Sequence, residues 1–350
     1  NKTYTVKVVS DSGNKYRFDD FGTSAVTLEL AEGSTYVFDQ SDSSNAGHPL
    51  RFSTTANGTH GGGSEYTTGV TTTGTPGSAG AKTTIVVAAS APTLYYYCSV
   101  HSGMGGQANT NATAGSSNFD GSIQTKVKAN PTAGFSITTI SSATGSSTAS
   151  LGHGLNAQPH IVIQKSRTNT YGWQVYFKVS GTYKYFTFGT DASSSTTTAN
   201  MGITPTNSVV GLGSNFSGSN DYVYYCFAPV AGYSAIGSYT GNGSDDGPFV
   251  FTGMRPSWLL VKRSSGTGNW ILVDTTRSPF NTADDVLIPN SGVAEQDLSA
   301  YTPFDILSNG FKLRDGTDLT GTTNINVNGS TYIYLAFASN PFQANGGLAR

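Results

Sequence analysis

The chain has 350 residues and a formal net charge of −2, and only 11% of its residues are charged, against roughly 25% in an average soluble domain. That balance offers no basic footprint for nucleic acid, and no run of about 18 apolar residues is present to cross a membrane as a helix. Thr and Tyr favour strands while Gly, Asn and Ser favour turns, so the fold class expected is all-β, divided into two or three domains.

The strand signals begin at once. "YTVKVV" (4–9) and "TLELAEGSTYVFD" (27–39) alternate in polarity, and "TTIVV" (83–87) and "LYYYC" (94–98) follow, separated by turn clusters. Residues 1–108 are expected to form one β-sandwich of about seven or eight strands. Residues 109–133 are polar and rich in Gly, Ser and Asn, which predicts a linker.

From residue 134 the sequence repeats itself. "GFS" (134–136) answers to "GYS" (232–234), "PHIVIQKSRTNTYGW" (159–173) to "PSWLLVKRSSGTGNW" (256–270), and "YVYYCFA" (222–228) to "YIYLAFA" (332–338). Pro159 to Trp173 and Pro256 to Trp270 span the same step, and Lys165 falls on Lys262. Two related β-sandwich units are expected, over 134–230 and 231–350, forming a tandem duplication. Cys226 falls on Ala336 and is read as an inert core residue, with no disulfide to Cys98. Trp173 and Trp270 are read as equivalent core plugs; sugar stacking is the sharper alternative.

Chemistry concentrates in "LYYYCSVHSGMGGQ" (94–107). A thiolate, an imidazole and a thioether at Cys98, His101 and Met104 make a soft ligand set on one loop, and His48 in "SNAGHPLRF" supplies a second imidazole from upstream. A trigonal His2Cys set with a weak axial Met suits copper. Glycines 103, 105 and 106 let the loop curl. Other candidates carry bland readings. His60 is expected to be a solvated loop residue. His153 and His160 lie where the repeat has no matching histidine, and Asp245-Asp246 is an acidic turn. Gly152–Ala157 fits a relaxed dinucleotide fingerprint by letter, but a strand pattern follows it where a helix is required. No nucleophile elbow, phosphate loop or zinc-protease motif occurs, so no catalytic residue is assigned and the chain is expected not to be an enzyme.

With these residues in place, residues 1–108 resemble the cupredoxins, the family of plastocyanin and amicyanin. The resemblance implies a Greek-key sandwich with a type 1 copper held by His48, Cys98, His101 and Met104. The second part, through "GNWILVDTTRSPFN", "DILSNGFKLR" and "YIYLAFASNPF", resembles a domain of unknown function common in tail-fibre and other virion proteins of marine phages. Together they imply a virion structural protein: a fibre, appendage or decoration subunit on the virion surface. It would self-associate, contact other virion proteins and a host surface glycan, and bind neither nucleic acid nor membrane. Two alternatives stand beside this: a secreted or periplasmic blue-copper electron carrier with an adhesive tail, and a cell-surface adhesin or filament subunit.

Overall fold

The computed structural model describes residues 1–143, 148–195, 201–213, 219–301, 303–314 and 323–340; the last ten residues of the expected second unit lie outside them. The first module comprises β1 (Lys2–Ser10), β2 (Asn14–Phe18), β3 (Leu28–Glu29), β4 (Thr35–Asp39), β5 (Leu50–Ser53), β6 (Val70–Thr73), β7 (Lys82–Val86), β8 (Leu94–Cys98) and β9 (Gly106–Asn109). They form two sheets, ordered β2-β1-β4-β7-β6 and β3-β9-β8-β5. The pairs β1/β4 and β3/β9 are parallel and the rest antiparallel.

Period-two alternation explains how the layers close. Tyr4 and Val6, Tyr16 and Phe18, Tyr36 and Phe38, Leu50 and Phe52, and Leu94, Tyr96 and Cys98 all point into one buried cluster. Aromatic rings dominate it. Phe18 meets Tyr96 at 5.2 Å between centroids, and Phe38 meets Phe52 at 5.4 Å, both edge-on. Such pairs add about 0.5–1.5 kcal/mol each beyond the area they bury.

Residues 109–133 are not a linker. They contain β10 (Ser116–Asn118) and β11 (Thr125–Asn130), and Phe119 between them is buried in the first module's core, 5.6 Å from Tyr4 and 5.3 Å from Phe21. Polar contacts fasten the same segment. Lys2 Nζ and Tyr4 Oη donate to the Ser117 carbonyl at 2.6 and 2.9 Å, and Lys126 pairs with Glu29 at 2.8 Å. One aromatic ring, main-chain pairing and polar contacts hold the segment, so its composition resembled that of a linker.

The rest of the chain adds β12 (Phe135–Ala143), β13 (Ser150–Gly152), β14 (Ile161–Ser166), β15 (Gln174–Val179), β16 (Thr182–Thr187), β17 (Val209–Gly211) and β18 (Asn220–Phe227). Then come β19 (Ser234–Thr240), β20 (Phe249–Phe251), β21 (Pro256–Arg263), β22 (Trp270–Asp274), β23 (Asp285–Val286), β24 (Gln296–Asp297), β25 (Phe304–Leu307), β26 (Gly310–Leu313) and β27 (Thr331–Ala338). A seven-stranded sheet runs β10-β11-β12-β18-β14-β15-β16, and a four-stranded sheet runs β19-β27-β21-β22. Strands β12-β18-β14-β15 and β19-β27-β21-β22 therefore share one order. The central pairs share one register too: Ile161 faces Phe227 as Trp258 faces Phe337, and Val162 faces Cys226 as Leu259 faces Ala336. The first anchor slips by one residue. Ser136 faces Cys226, whereas Ser234 faces Phe337.

Each unit has its own core, and a further apolar cluster lies between the two sheets. The equivalent residues Phe227 and Phe337 meet there at 6.5 Å. Buried Lys262 in β21 donates to the carbonyls of Ala192 and Arg263 at 2.9 Å and of Asp191 at 3.2 Å, so its ammonium ties the second unit to the first. Trp270 is 2% exposed and plugs the shared cluster, but Trp173 is 43% exposed. The two tryptophans are thus not equivalent plugs.

His153 is fully buried. Its Nε2 lies 3.2 Å from the Thr206 carbonyl, and its Nδ1 accepts the Leu155 N–H at 3.3 Å. This is the pattern of a neutral ring, and burial holds its pKa below the usual imidazole value. As pH falls, the unfolded chain takes up the proton first. The stability due to the neutral ring is therefore complete above about pH 6.5 and lost below it, by up to about 1.4 kcal/mol per pH unit. Urea midpoints measured from pH 7.5 to 5.5 (around the imidazole value) should fall, and His153→Gln should flatten that fall. An unchanged pH profile in the variant would contradict this.

Candidate metal centre

Strand β8 ends with Leu94, Tyr96 and Cys98 facing inward. In the β5/β8 pair Cys98 stands opposite Leu50, and the Ser99 N–H donates to the Pro49 carbonyl at 3.1 Å. The turn carrying His48 is thereby brought alongside the thiol. That turn is held from beneath. Tyr16 Oη and Gln40 Nε2 both donate to the His48 carbonyl at 2.8 Å, Gln40 Oε1 accepts the Leu50 N–H at 3.0 Å, and the His48 N–H donates to the Asn45 carbonyl at 2.8 Å. Gln40 and Asn45 are buried, and Gly47 supplies the positive φ of 76° that the turn requires.

Three side chains converge. Cys98 Sγ is 3.9 Å from His48 Nδ1 and 3.8 Å from His101 Nδ1, and the ligand atoms of all three lie within 4.8 Å of one another. Among the described residues this is the only such group of three His, Cys, Asp or Glu. The His101 main-chain N–H donates to Cys98 Sγ at 3.4 Å. Cys98 is buried, His48 half-buried and His101 exposed, so one side of the centre faces solvent. Burial, then the neighbouring His101, lowers the pKa of His48 and favours the neutral ring that a metal needs. Met104 is buried in the core cluster that contains Cys98, and its carbonyl accepts the Tyr16 N–H at 2.9 Å.

The separations fit a metal. A sulfur at about 2.3 Å and a nitrogen at about 2.0 Å from one ion stand 3.8–3.9 Å apart when the angle between them is about 125–130°. That is near the trigonal opening of a His2Cys copper set.

Other residues shape the centre and were not legible as such. His60 is exposed, yet it is not simply solvated: its Nε2 donates to the Cys98 carbonyl at 3.0 Å, and its ring stands edge-on to Tyr97. Asn57 Oδ1 accepts the Gly103 N–H at 2.8 Å and its Nδ2 donates to Ser102 Oγ at 2.9 Å, which pins the ligand loop; Lys15 Nζ donates to the Gly103 carbonyl. The Asn57-Gly58 pair, both at positive φ, was the one available signal of a tight turn. Elsewhere, Asp246 pairs with Lys312 at 2.7 Å, and Cys226 is buried, with burial pushing its thiol up to about 12. Both cysteines are free.

Residues 107–341, well over half of the chain, match the family described as Domain of unknown function (DUF7483), and the chain belongs to that family. The centre at His48, Cys98 and His101 lies before the matched segment. No curated protein and no solved structure matches the chain.

The ligand loop closes through Gly105, where a Cβ would stand 1.7 Å from the Tyr96 carbonyl oxygen. Gly105→Ala should therefore cost about 1–3 kcal/mol through forced main-chain movement. Gly22→Ala, where a Cβ meets nothing within 4 Å, should change stability by less than about 0.5 kcal/mol. Chemical denaturation of both variants checks this, and equal midpoints would refute the packing role of Gly105.

Proposed function

We propose that residues 1–108 are a cupredoxin-like module in which Cys98, His48 and His101 would hold one copper ion, with Met104, buried in the same cluster as Cys98, as the fourth candidate ligand. The observation that carries this is the placement of both Nδ1 atoms at 3.8–3.9 Å from one buried sulfur. Bound copper would supply one-electron chemistry and a cross-link between the His48 turn and the β8 loop. The protein's own residues do the rest. Gln40 and Tyr16 orient the His48 turn, Asn57 fixes Gly103, and the aromatic core beneath Cys98 keeps water from the sulfur. The parallel pairs β1/β4 and β3/β9 within a two-sheet sandwich support the cupredoxin reading.

The whole chain is read as a non-enzymatic structural subunit of a phage virion, exposed on its surface. The metal clamp stabilises the first module, and the DUF7483 region serves assembly with other virion proteins or attachment to a host glycan. The low charge and neutral polar surface suit such a role. The exposed edge of His101 favours a second reading, a blue-copper electron carrier, since an electron must enter through an accessible ligand.

Titration with Cu(II) should produce an intense visible sulfur-to-copper band at one equivalent, and Cys98→Ser should abolish it. Copper at about 100 times its dissociation constant should stabilise the wild type by about 2.7 kcal/mol, read as a raised melting temperature. Binding without the band, or a band that survives in Cys98→Ser, would overturn the assignment. Binding without a melting shift would end the clamp role, and reversible one-electron reduction would then favour the carrier.

A further inference from the structure

The two related units leave one aromatic site covered and its counterpart open. Trp270 is covered by Phe186 and Phe188, alternate residues of β16 and its continuation, at 5.8 and 5.0 Å between centroids. Trp173 holds the matching position in the first unit. It lies opposite Phe188, whose N–H donates to the Trp173 carbonyl at 3.0 Å, and so shares the face of the buried inter-unit cluster. Among the described residues the second unit's sheet stops at β22, where only the Leu272–Leu287 bridge follows, and no fifth strand lies over Trp173. The indole rests on Tyr225, 6.2 Å away at 27°, with its outer face in solvent. This platform continues an interface already formed inside the chain.

The same chain carries a strand of the kind that covers Trp270. Strand β20 reads Phe249-Val250-Phe251 and is the edge of the sheet β20-β26-β25. Val250 is buried, while Phe249 and Phe251 are 45% and 66% exposed on the opposite side. Phe280 is also exposed, but it stands alone in a loop without the alternate spacing. A free edge bearing two exposed aromatics is a surface that sheet proteins normally protect.

We infer that a second copy of this chain covers Trp173 with its Phe249-Val250-Phe251 edge, as Phe186 and Phe188 cover Trp270. Both surfaces are exposed within one chain, so the contact joins different copies. The two surfaces differ, so the association either pairs two copies through two reciprocal contacts or runs head-to-tail into a ring or fibre. It is independent of the metal centre.

Sedimentation velocity of the full chain over a concentration series tests this. The wild type should associate. Trp173→Gln and Phe251→Ser, both at exposed sites, should fold with unchanged circular dichroism and bind copies at least about tenfold more weakly, as expected for an aromatic anchor. An equimolar mixture of the two variants should form pairs that stop at two, because one intact Trp173 still meets one intact Phe251. A wild type that stays a single chain, variants that associate like wild type, or a mixture that does not pair would each overturn the inference. A single-chain wild type whose fluorescence responds to saccharides, with the response lost in Trp173→Gln, would assign the platform to a sugar instead.

Discussion

The candidate centre depends on the register of one antiparallel pair. Strand β8 sets Cys98 opposite Leu50 of β5, and this register places the His48 turn beside the sulfur. Slipping the pair by one residue would turn Cys98 out of the core and send Tyr95 and Tyr97 inward. The burial of Leu94, Tyr96, Leu50 and Phe52 on one face opposes such a slip. Gln40 adds a second constraint. Its amide bonds both the His48 carbonyl and the Leu50 N–H, so the end of β4 and the start of β5 move together with the turn. The soft side chains are arranged by apolar packing and buried amides.

The remainder is organised by a duplicated sheet whose copies share order and register through their central strands but differ at their edges. The first copy gains β10, β11 and β16. Two of these additions fasten neighbours: β10 and Phe119 brace the first module, and β16 seals Trp270. Among the described residues the second copy has no counterpart of either, and Trp173 is open. Lys262 illustrates the same divergence. Its ammonium is buried against carbonyls of the other unit, whereas Lys165 at the matching position donates to Tyr171 of its own loop. The two sheets share strand order and central register, and their unequal edges give the two halves different surfaces.

The parts of this arrangement that were legible in the sequence are those that act locally. Alternation in "YTVKVV" and "LYYYC" marks strands because a strand's faces repeat every two residues. Cys98, His101 and Met104 sit on one loop, so their spacing can be read directly. The central repeat anchors were legible because Pro159 lies just before β14 and Pro256 opens β21, strands of matching register. What escaped depends on distant main-chain groups. Gln40, Asn57 and His60 act on carbonyls and amides 8 to 46 residues away, and nothing in their own neighbourhood announces it. The segment 109–133 escaped because one phenylalanine, backbone pairing and scattered polar contacts dock it. The fate of Trp173 escaped because exposure is decided by an unlike neighbour strand.

The central claim is that one sulfur and two imidazoles were brought together to share an ion. X-ray absorption at the copper edge of the metal-loaded full chain tests it most directly. One sulfur and two imidazole nitrogens are expected in the first coordination shell, with the sulfur lost in Cys98→Ser. A shell of nitrogen and oxygen alone, unchanged by that substitution, would contradict it.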